Sequence, residues 1–126
     1  MQRNYLQAKI HRATVKGTNI DYEGSITIGA DLLEAADICP HQRVQVVNCT
    51  NGARLETYVI PGEPTVVRLN GAAGRLAERG DTVIILSYGI CEHDDQPEPT
   101  IVRVNENNEI TDVDTEHSYE RESYRS

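Results

Sequence analysis

Hydrophobic and polar residues alternate along several short stretches of this chain, a pattern typical of β-strands with one buried face. In the first stretch, residues 5–15, Leu6 and Ile10 fall on one face while Lys9 and His11 fall on the other. The same kind of pattern, or a short apolar run, predicts strands at residues 25–28, 44–49, 54–60, 66–69 and 82–88. The last of these is apolar almost throughout, so we expect a central strand buried on both faces.

Two short helices and several turns separate the predicted strands. Residues 30–37 place Leu32, Leu33 and Ala36 on one side of a helix, and residues 71–79 predict a second helix rich in small side chains. Turn residues indicate a turn at 18–21, a hairpin turn at Asn51-Gly52 and a loop at 61–64. About six short strands with two inserted helices favour a mainly β fold, and closure into a barrel would remove the exposed strand edges.

The acidic charge of the chain is concentrated near its C-terminus. From residue 92 onward there are eleven acidic residues and three arginines. This segment predicts a solvated, poorly ordered acidic tail over residues 92–126, with one short strand at 100–104, after a single domain over residues 1–91. The domain has no basic stripe, which argues against a nucleic-acid partner.

Cysteine usage and hydropathy limit the protein class further. The three cysteines are odd in number and form no Cys-x-x-Cys pair, so we expect neither a disulfide framework nor a metal site. The N-terminus lacks the apolar core of a signal peptide, and no apolar run is long enough to span a bilayer. These features predict a cytoplasmic protein with no membrane partner.

The peptide Gly24-Ser25 is a candidate for self-cleavage. Glycine has no Cβ, so residue 24 can adopt conformations that expose its carbonyl carbon to the Ser25 hydroxyl. Attack by that hydroxyl gives an internal ester, for which Thr57 is a candidate oxyanion donor. Elimination from the ester, followed by hydrolysis, leaves a pyruvoyl group at position 25 and releases ammonia. That carbonyl would do the work for which other enzymes bind pyridoxal phosphate.

Other polar residues suit a decarboxylation at such a carbonyl. Arg54 can hold a carboxylate with two hydrogen bonds, and Lys9 offers a second positive charge. Tyr58 can donate the proton that replaces carbon dioxide. The segment Asn70-Gly71-Ala72-Ala73 offers backbone N–H groups without bulky side chains near a small anion. Two cations would suit a dicarboxylic amino acid.

Four segments in a fixed order carry a resemblance to a known family: residues 7–15 (QAKIHRATV), 22–28 (YEGSITI), 51–58 (NGARLETY) and 70–73 (NGAA). With these motifs, residues 1 to about 90 resemble the pyruvoyl-dependent aspartate 1-decarboxylases of pantothenate synthesis. The resemblance implies a six-stranded double-psi β-barrel and a homotetramer with active sites between neighbouring subunits. It further implies cleavage into fragments 1–24 and 25–126, and conversion of L-aspartate to β-alanine and carbon dioxide.

The resemblance also implies a role for each matching residue. Ser25 is the pyruvoyl precursor and Schiff-base former, and Tyr58 is the proton donor. Processing involves Gly24, Ser25 and Thr57. The implied substrate contacts are Lys9, Arg54, Thr57, Gly71, Ala72 and Ala73, with His11, Tyr22 and Asn70 in support. The chain departs from some members at Val47, where they have a tryptophan beside the pocket.

Two other functions stay open on the residues alone. Cleavage could leave Ser25 as a free N-terminal nucleophile for amide hydrolysis. Alternatively, a barrel that never cleaves could serve as a binding or assembly module. The sequence does not decide whether cleavage is spontaneous or needs an accessory maturation protein.

Overall fold

The fold is mainly β, as the alternating pattern predicts. A computed structural model describes residues 1–96 and 98–115. The strands in these residues are β1 (Gln2–Thr14), β2 (Gly17–Asn19), β3 (Ser25–Gly29), β4 (Arg43–Asn48), β5 (Arg54–Gly62), β6 (Val67–Asn70), β7 (Thr82–Glu92), β8 (Thr100–Val104) and β9 (Ile110–Thr115). Helix α1 spans Ala30–Ala36, and 3₁₀ helices span Gly71–Leu76 and His93–Asp95. None of the helices in this part of the chain is long and apolar enough to cross a membrane.

The strands join in one sheet with the order β2-β6-β3-β5-β4-β7-β1-β8-β9. Strands β1 and β2 are far apart in this order, yet only Val15 and Lys16 separate them in the chain. Three peptide steps reach at most about 11 Å, so the end of β1 lies close to β6, the neighbour of β2. Lys16 donates its backbone N–H to Val67 O at 2.9 Å, at the start of β6. The sheet is therefore strongly curved.

The core lies inside this curved sheet and is aliphatic. The alternation predicted along the first strand is borne out, because Ala8 and Ile10 are fully buried while Lys9 and His11 are only half-buried. Helix α1 buries Leu32, Leu33 and Ala36, as its pattern predicts. Other large buried side chains are Ile26, Ile28, Val44, Val46, Val59, Val67, Leu69, Val83 and Ile85.

Strand β7 is central, as expected, because it pairs with both β1 and β4. The prediction that both of its faces are buried is wrong. Val83 and Ile85 are buried, whereas the alternating Ile84 and Leu86 are half-buried. The buried set faces the core, and the other set belongs to the opposite side of the sheet, which the described part of the chain leaves partly open.

Three local predictions are also corrected. Residues 17–19 were expected in a turn but form β2, because β6 pairs with them in parallel. Pro61 was expected in a loop but lies in β5, where only β3 pairs with it in the described residues, so no ladder bond from the proline nitrogen is needed on the other side. The second predicted helix, 71–79, is a shorter 3₁₀ helix that ends at Leu76.

The acidic segment is more ordered than its composition suggests. Strand β8 matches the strand predicted at 100–104 and pairs in parallel with β1. Strand β9 was not predicted, and it pairs with β8. Asn108, fully buried, donates to Thr14 O at 2.8 Å and Thr65 O at 2.9 Å and accepts from Thr14 N at 2.7 Å. The expectation of poor order is thus wrong for both strands, and its remainder at residues 97 and 116–126 lies outside the described residues.

Candidate active site

Ser25 stands at a boundary between an exposed turn and a buried strand. It is the first residue of β3 and is fully buried, whereas Gly24 before it is exposed. The Ser25 hydroxyl donates to Glu23 O at 3.1 Å and accepts from Asn70 Nδ2 at 3.0 Å. A hydroxyl held by one acceptor and one donor beside an accessible glycine peptide has the contacts that an attack on that peptide requires.

Asn70 is the central polar residue beside Ser25. It is the last residue of β6 and pairs directly with Ser25 across the antiparallel ladder. Its amide nitrogen donates to Ser25 Oγ and also to Thr27 Oγ1 at 2.9 Å. Its carbonyl oxygen, Oδ1, is buried and accepts no hydrogen bond from the described residues. Such an orphan acceptor is rare in a folded protein and is a frequent feature of functional sites.

Gly71 brings the 3₁₀ helix 71–76 against the Gly24-Ser25 peptide. Its φ of +61° is a left-handed conformation that favours glycine. A Cβ at this position would lie 2.6 Å from Gly24 N and 2.7 Å from Tyr22 O. The chain around Gly24 therefore rests on a backbone that only glycine allows. Ala72, the next residue, is exposed, and Ala73 is half-buried against the core.

Strand β5 supplies the other neighbour of β3. The two strands are parallel, with Ile26 paired to Val59. Tyr58 and Ser25 each precede a member of this pair, so their backbones lie on adjacent strands about 4.8 Å apart. The Tyr58 ring is half-buried and meets the edge of the His41 ring, with 6.3 Å between the centroids. Thr57, one residue earlier, is half-buried and pairs with β4.

The two predicted carboxylate-binding cations lie elsewhere on the sheet. Arg54 begins β5 and is exposed. Lys9 lies on β1, where it pairs with Leu86 of β7. Strands β7 and β4 separate β1 from β5, which corresponds to about 14 Å along the sheet. His11 lies on β1 two residues beyond Lys9. Within a single chain, the structure does not bring these cations onto strands that neighbour Ser25.

Thr27 is a residue of this site that the sequence reasoning missed. It lies two residues after Ser25 on the same strand, and Asn70 bonds both hydroxyls. Side chains two apart on a strand share a face, so the spacing was a usable signal. Thr27 also lines a groove of about 430 Å³ together with the exposed Tyr22 and Arg68.

Comparisons with known proteins agree with the motifs. The sequence pattern of the family described as aspartate decarboxylase matches residues 1–111. The chain belongs to the aspartate decarboxylase family. The aspartate 1-decarboxylase of Haloquadratum walsbyi is 55% identical over 89% of this chain and 98% of its own length. That of Listeria welshimeri is 53% identical over 87% and 90%, and that of Desulfitobacterium hafniense is 50% identical over 98% and 100%.

Membership of the aspartate decarboxylase family confirms the enzyme class expected from the sequence. The chain is a decarboxylase, and hence a lyase, with a small-molecule substrate. The family match also continues past residue 91, near where the resemblance carried by the motifs ended, and includes β8 and the start of β9. In residues 1–96 and 98–115, no cluster of three or more His, Cys, Asp or Glu side chains is placed to hold a metal ion.

Proposed function

We propose that this chain cleaves its own Gly24–Ser25 peptide bond and uses the resulting pyruvoyl group to decarboxylate L-aspartate to β-alanine and carbon dioxide for pantothenate synthesis. The observation that carries the proposal is the buried Ser25 hydroxyl, which is hydrogen-bonded by Asn70 and lies directly after an exposed glycine. Membership of the aspartate decarboxylase family supplies the reaction class.

Self-cleavage begins with the Ser25 hydroxyl. Its oxygen bonds to the Gly24 carbonyl carbon, the C–N bond between the two residues breaks, and the Ser25 nitrogen takes the hydroxyl proton. The resulting ester loses the proton on Ser25 Cα while the Gly24 carboxylate leaves Cβ. Water then replaces the nitrogen, which departs as ammonia. Thr57, on the strand beside Gly24, is the proposed donor to the oxyanion of the first step.

The local environment of Ser25 fits the group that this sequence would make. The site is closed on the β6 side by Asn70 and Gly71 and has an unpartnered buried acceptor in Asn70 Oδ1. A pyruvoyl carbonyl supplies an electrophile that condenses with the substrate amine and withdraws electrons as carbon dioxide leaves. Tyr58, on the adjacent strand, is the proposed donor of the proton that the product gains.

Substrate binding is assigned to Lys9, Arg54, Thr57 and the segment Gly71-Ala72-Ala73, with His11, Tyr22 and Asn70 in support. Lys9 and Arg54 are proposed to hold the substrate carboxylates, since their charges match the two acidic groups of L-aspartate. The 3₁₀ helix leaves room for the substrate because its first residues have small side chains. Val47, which replaces the tryptophan of some members, pairs with Arg54 and so borders the same binding region.

A homotetramer with active sites between subunits would bring these cations to Ser25. We define the outer face as the side of β5, β4, β7 and β1 that carries Arg54, Leu86 and Lys9. On this side of β7, Tyr88 and Ile90 are 41% and 71% exposed, and a groove of about 270 Å³ lies beside them. Exposed apolar side chains next to a groove are typical of a surface that another subunit covers. A partner that packs there would receive cations from this face.

The six-stranded double-psi barrel implied by the motifs is also proposed as the finer description of the fold. Its support is the link of two residues between β1 and β2. If these two count as one strand, the order β1/β2-β6-β3-β5-β4-β7 returns to β1 and gives a ring of six strands. The proposed catalytic domain is residues 1–91, with residues 92–126 as an accessory segment.

The cellular setting is proposed to be the cytoplasm. The three cysteines are unpaired, and Cys39 and Cys49 are exposed, which suits a reducing compartment. Whether an accessory maturation protein starts the cleavage can be read from the purified chain, because spontaneous cleavage proceeds in its absence.

Purified chain should contain two fragments, one ending at Gly24 and the other beginning at position 25. Intact-mass measurement after warming should find the second fragment lighter by one ammonia molecule than a fragment that begins with serine. Its N-terminus should be blocked to Edman degradation, and the preparation should release carbon dioxide from L-aspartate.

Each alternative gives a different result in the same measurement. A free serine at position 25 would favour an N-terminal-nucleophile hydrolase. A chain that stays intact, even when a cell extract is added, would favour the binding module and contradict the proposal. Parallel assays with L-glutamate and L-cysteine sulfinate would define substrate choice, since both carry an amine beside acidic groups.

Replacing Arg54 with alanine should lower kcat/KM for L-aspartate by about 10- to 150-fold, the range expected when a hydrogen-bonded charge contact is lost. Cleavage at Gly24–Ser25 should continue, because Arg54 is exposed and lies at the far end of β5 from the residues that pair with β3. Arg79→Ala, which removes an exposed arginine outside the proposed site, is the matched control. Equal kcat/KM for Arg54→Ala and wild type would exclude Arg54 from the site.

A further inference from the structure

Thr27 shares the amide of Asn70 with the serine that is proposed to react. The Asn70 side-chain nitrogen carries two hydrogens. One is donated to Ser25 Oγ at 3.0 Å and the other to Thr27 Oγ1 at 2.9 Å. All three side chains are buried, with Thr27 5% exposed. The three groups thus form a closed chain of hydrogen bonds in which Asn70 lies between the two hydroxyls.

Asn70 has little else to fix its orientation. The last torsion of an asparagine side chain has a broad energy minimum, so the amide plane is set by its hydrogen bonds. Asn70 Oδ1 accepts none from the described residues. Apart from Ser25 itself, Thr27 is the one hydrogen-bond partner of this amide in that part of the chain. If Thr27 did not accept its hydrogen, the amide could rotate away from Ser25.

Thr27 itself is held rigidly. Its backbone lies in the middle of β3 and pairs with Arg68 on one side and Ile60 on the other. A Cβ built on Gly62 would lie 2.5 Å from Thr27 Cγ2, so the methyl group fits closely against that glycine. Because a β-branched side chain has few χ1 rotamers, this packing fixes the direction of the hydroxyl as well.

We propose that Thr27 is a positioning residue for the cleavage at Gly24–Ser25 and that it acts through Asn70. Its hydroxyl orients the Asn70 amide, and that amide then holds Ser25 Oγ in one position relative to the Gly24 carbonyl before attack. Restricting the nucleophile in this way raises the rate of an intramolecular reaction. Thr27 does not contact the reacting atoms. The inference rests on the proposed self-cleavage.

Thr27→Val removes the acceptor while keeping the branched shape that packs on Gly62. We expect freshly purified, uncleaved Thr27→Val chain to form the two fragments about tenfold more slowly than wild type, the change that loss of one ordinary hydrogen bond produces in a rate. Thr27→Ser keeps the hydroxyl and should cleave much faster than Thr27→Ala, which differs from it by that oxygen alone. This second pair gives the answer if the valine variant folds poorly.

A double-mutant cycle separates positioning from general loss of structure. In an Asn70→Ala chain the amide is gone, so adding Thr27→Val should slow cleavage no further. An additive effect would mean that Thr27 acts by another route and would overturn the inference. So would equal cleavage rates for Thr27→Val and wild type. A wild-type chain that never cleaves would instead overturn the proposed function, and this inference with it.

Discussion

Replacing Ser25 with alanine should leave the chain in one piece and abolish decarboxylation of L-aspartate. Alanine has no Oγ, so no ester forms, and the source of the proposed pyruvoyl group is lost. The variant should still fold, because only one methyl-sized change is made in β3. Loss of the hydrogen bond from Asn70 should lower the free energy of unfolding by about 1–3 kcal/mol, since the amide is left with an unsatisfied buried hydrogen.

Ser87→Ala is the matched control for this experiment. Ser87 is as fully buried as Ser25 and also uses its hydroxyl in a side-chain contact, with Gln7, but it lies on β7 away from the proposed site. Both variants lose a buried hydroxyl, and only Ser25→Ala should lose cleavage. Intact mass, carbon dioxide release and thermal unfolding measured on the same preparations separate the two effects. Cleavage in Ser25→Ala would refute Ser25 as the nucleophile.

Replacing Gly71 with alanine should slow cleavage by about a hundredfold or more. The new Cβ would approach Gly24 N to 2.6 Å and Gly24 Cα to 2.7 Å, which is closer than atoms in contact allow. The backbone on one side must therefore move, and a displacement of about 1 Å at a reacting group costs on the order of 100-fold in rate. The left-handed φ adds about 1–2 kcal/mol of strain for alanine.

Gly80→Ala distinguishes the collision from the strain. Gly80 also has a positive φ, +94°, but nothing lies within 4 Å of a Cβ at that position. It should lose thermal stability and keep its cleavage rate, while Gly71→Ala should lose both. If time courses followed by intact mass gave equal cleavage rates for Gly71→Ala and wild type, the contact between Gly71 and Gly24 would have no part in processing.

Local sequence patterns predicted the strands that carry their own signal. The alternation along β1 and the Asn-Gly turn between β4 and β5 are determined by residues near each other in the chain, and both elements formed as expected. Strands β2 and β9 were missed for a physical reason. β2 has three residues with no alternation and exists because β6 pairs with it, while β9 is polar and exists because β8 does.

The sequence by itself determined the chemistry available to this protein. It identified the Gly24-Ser25 peptide, the two cations and the family, because these depend only on which residue types occur and at what spacing. The tertiary structure decided which of them meet. Asn70 reaches Ser25 and Thr27 because β6 pairs with β3, whereas Lys9 and Arg54 stand on strands separated by β4 and β7. Side-chain periodicity tells which face a residue occupies, but strand partners are chosen by burial across the whole sheet, and no local pattern contains that choice.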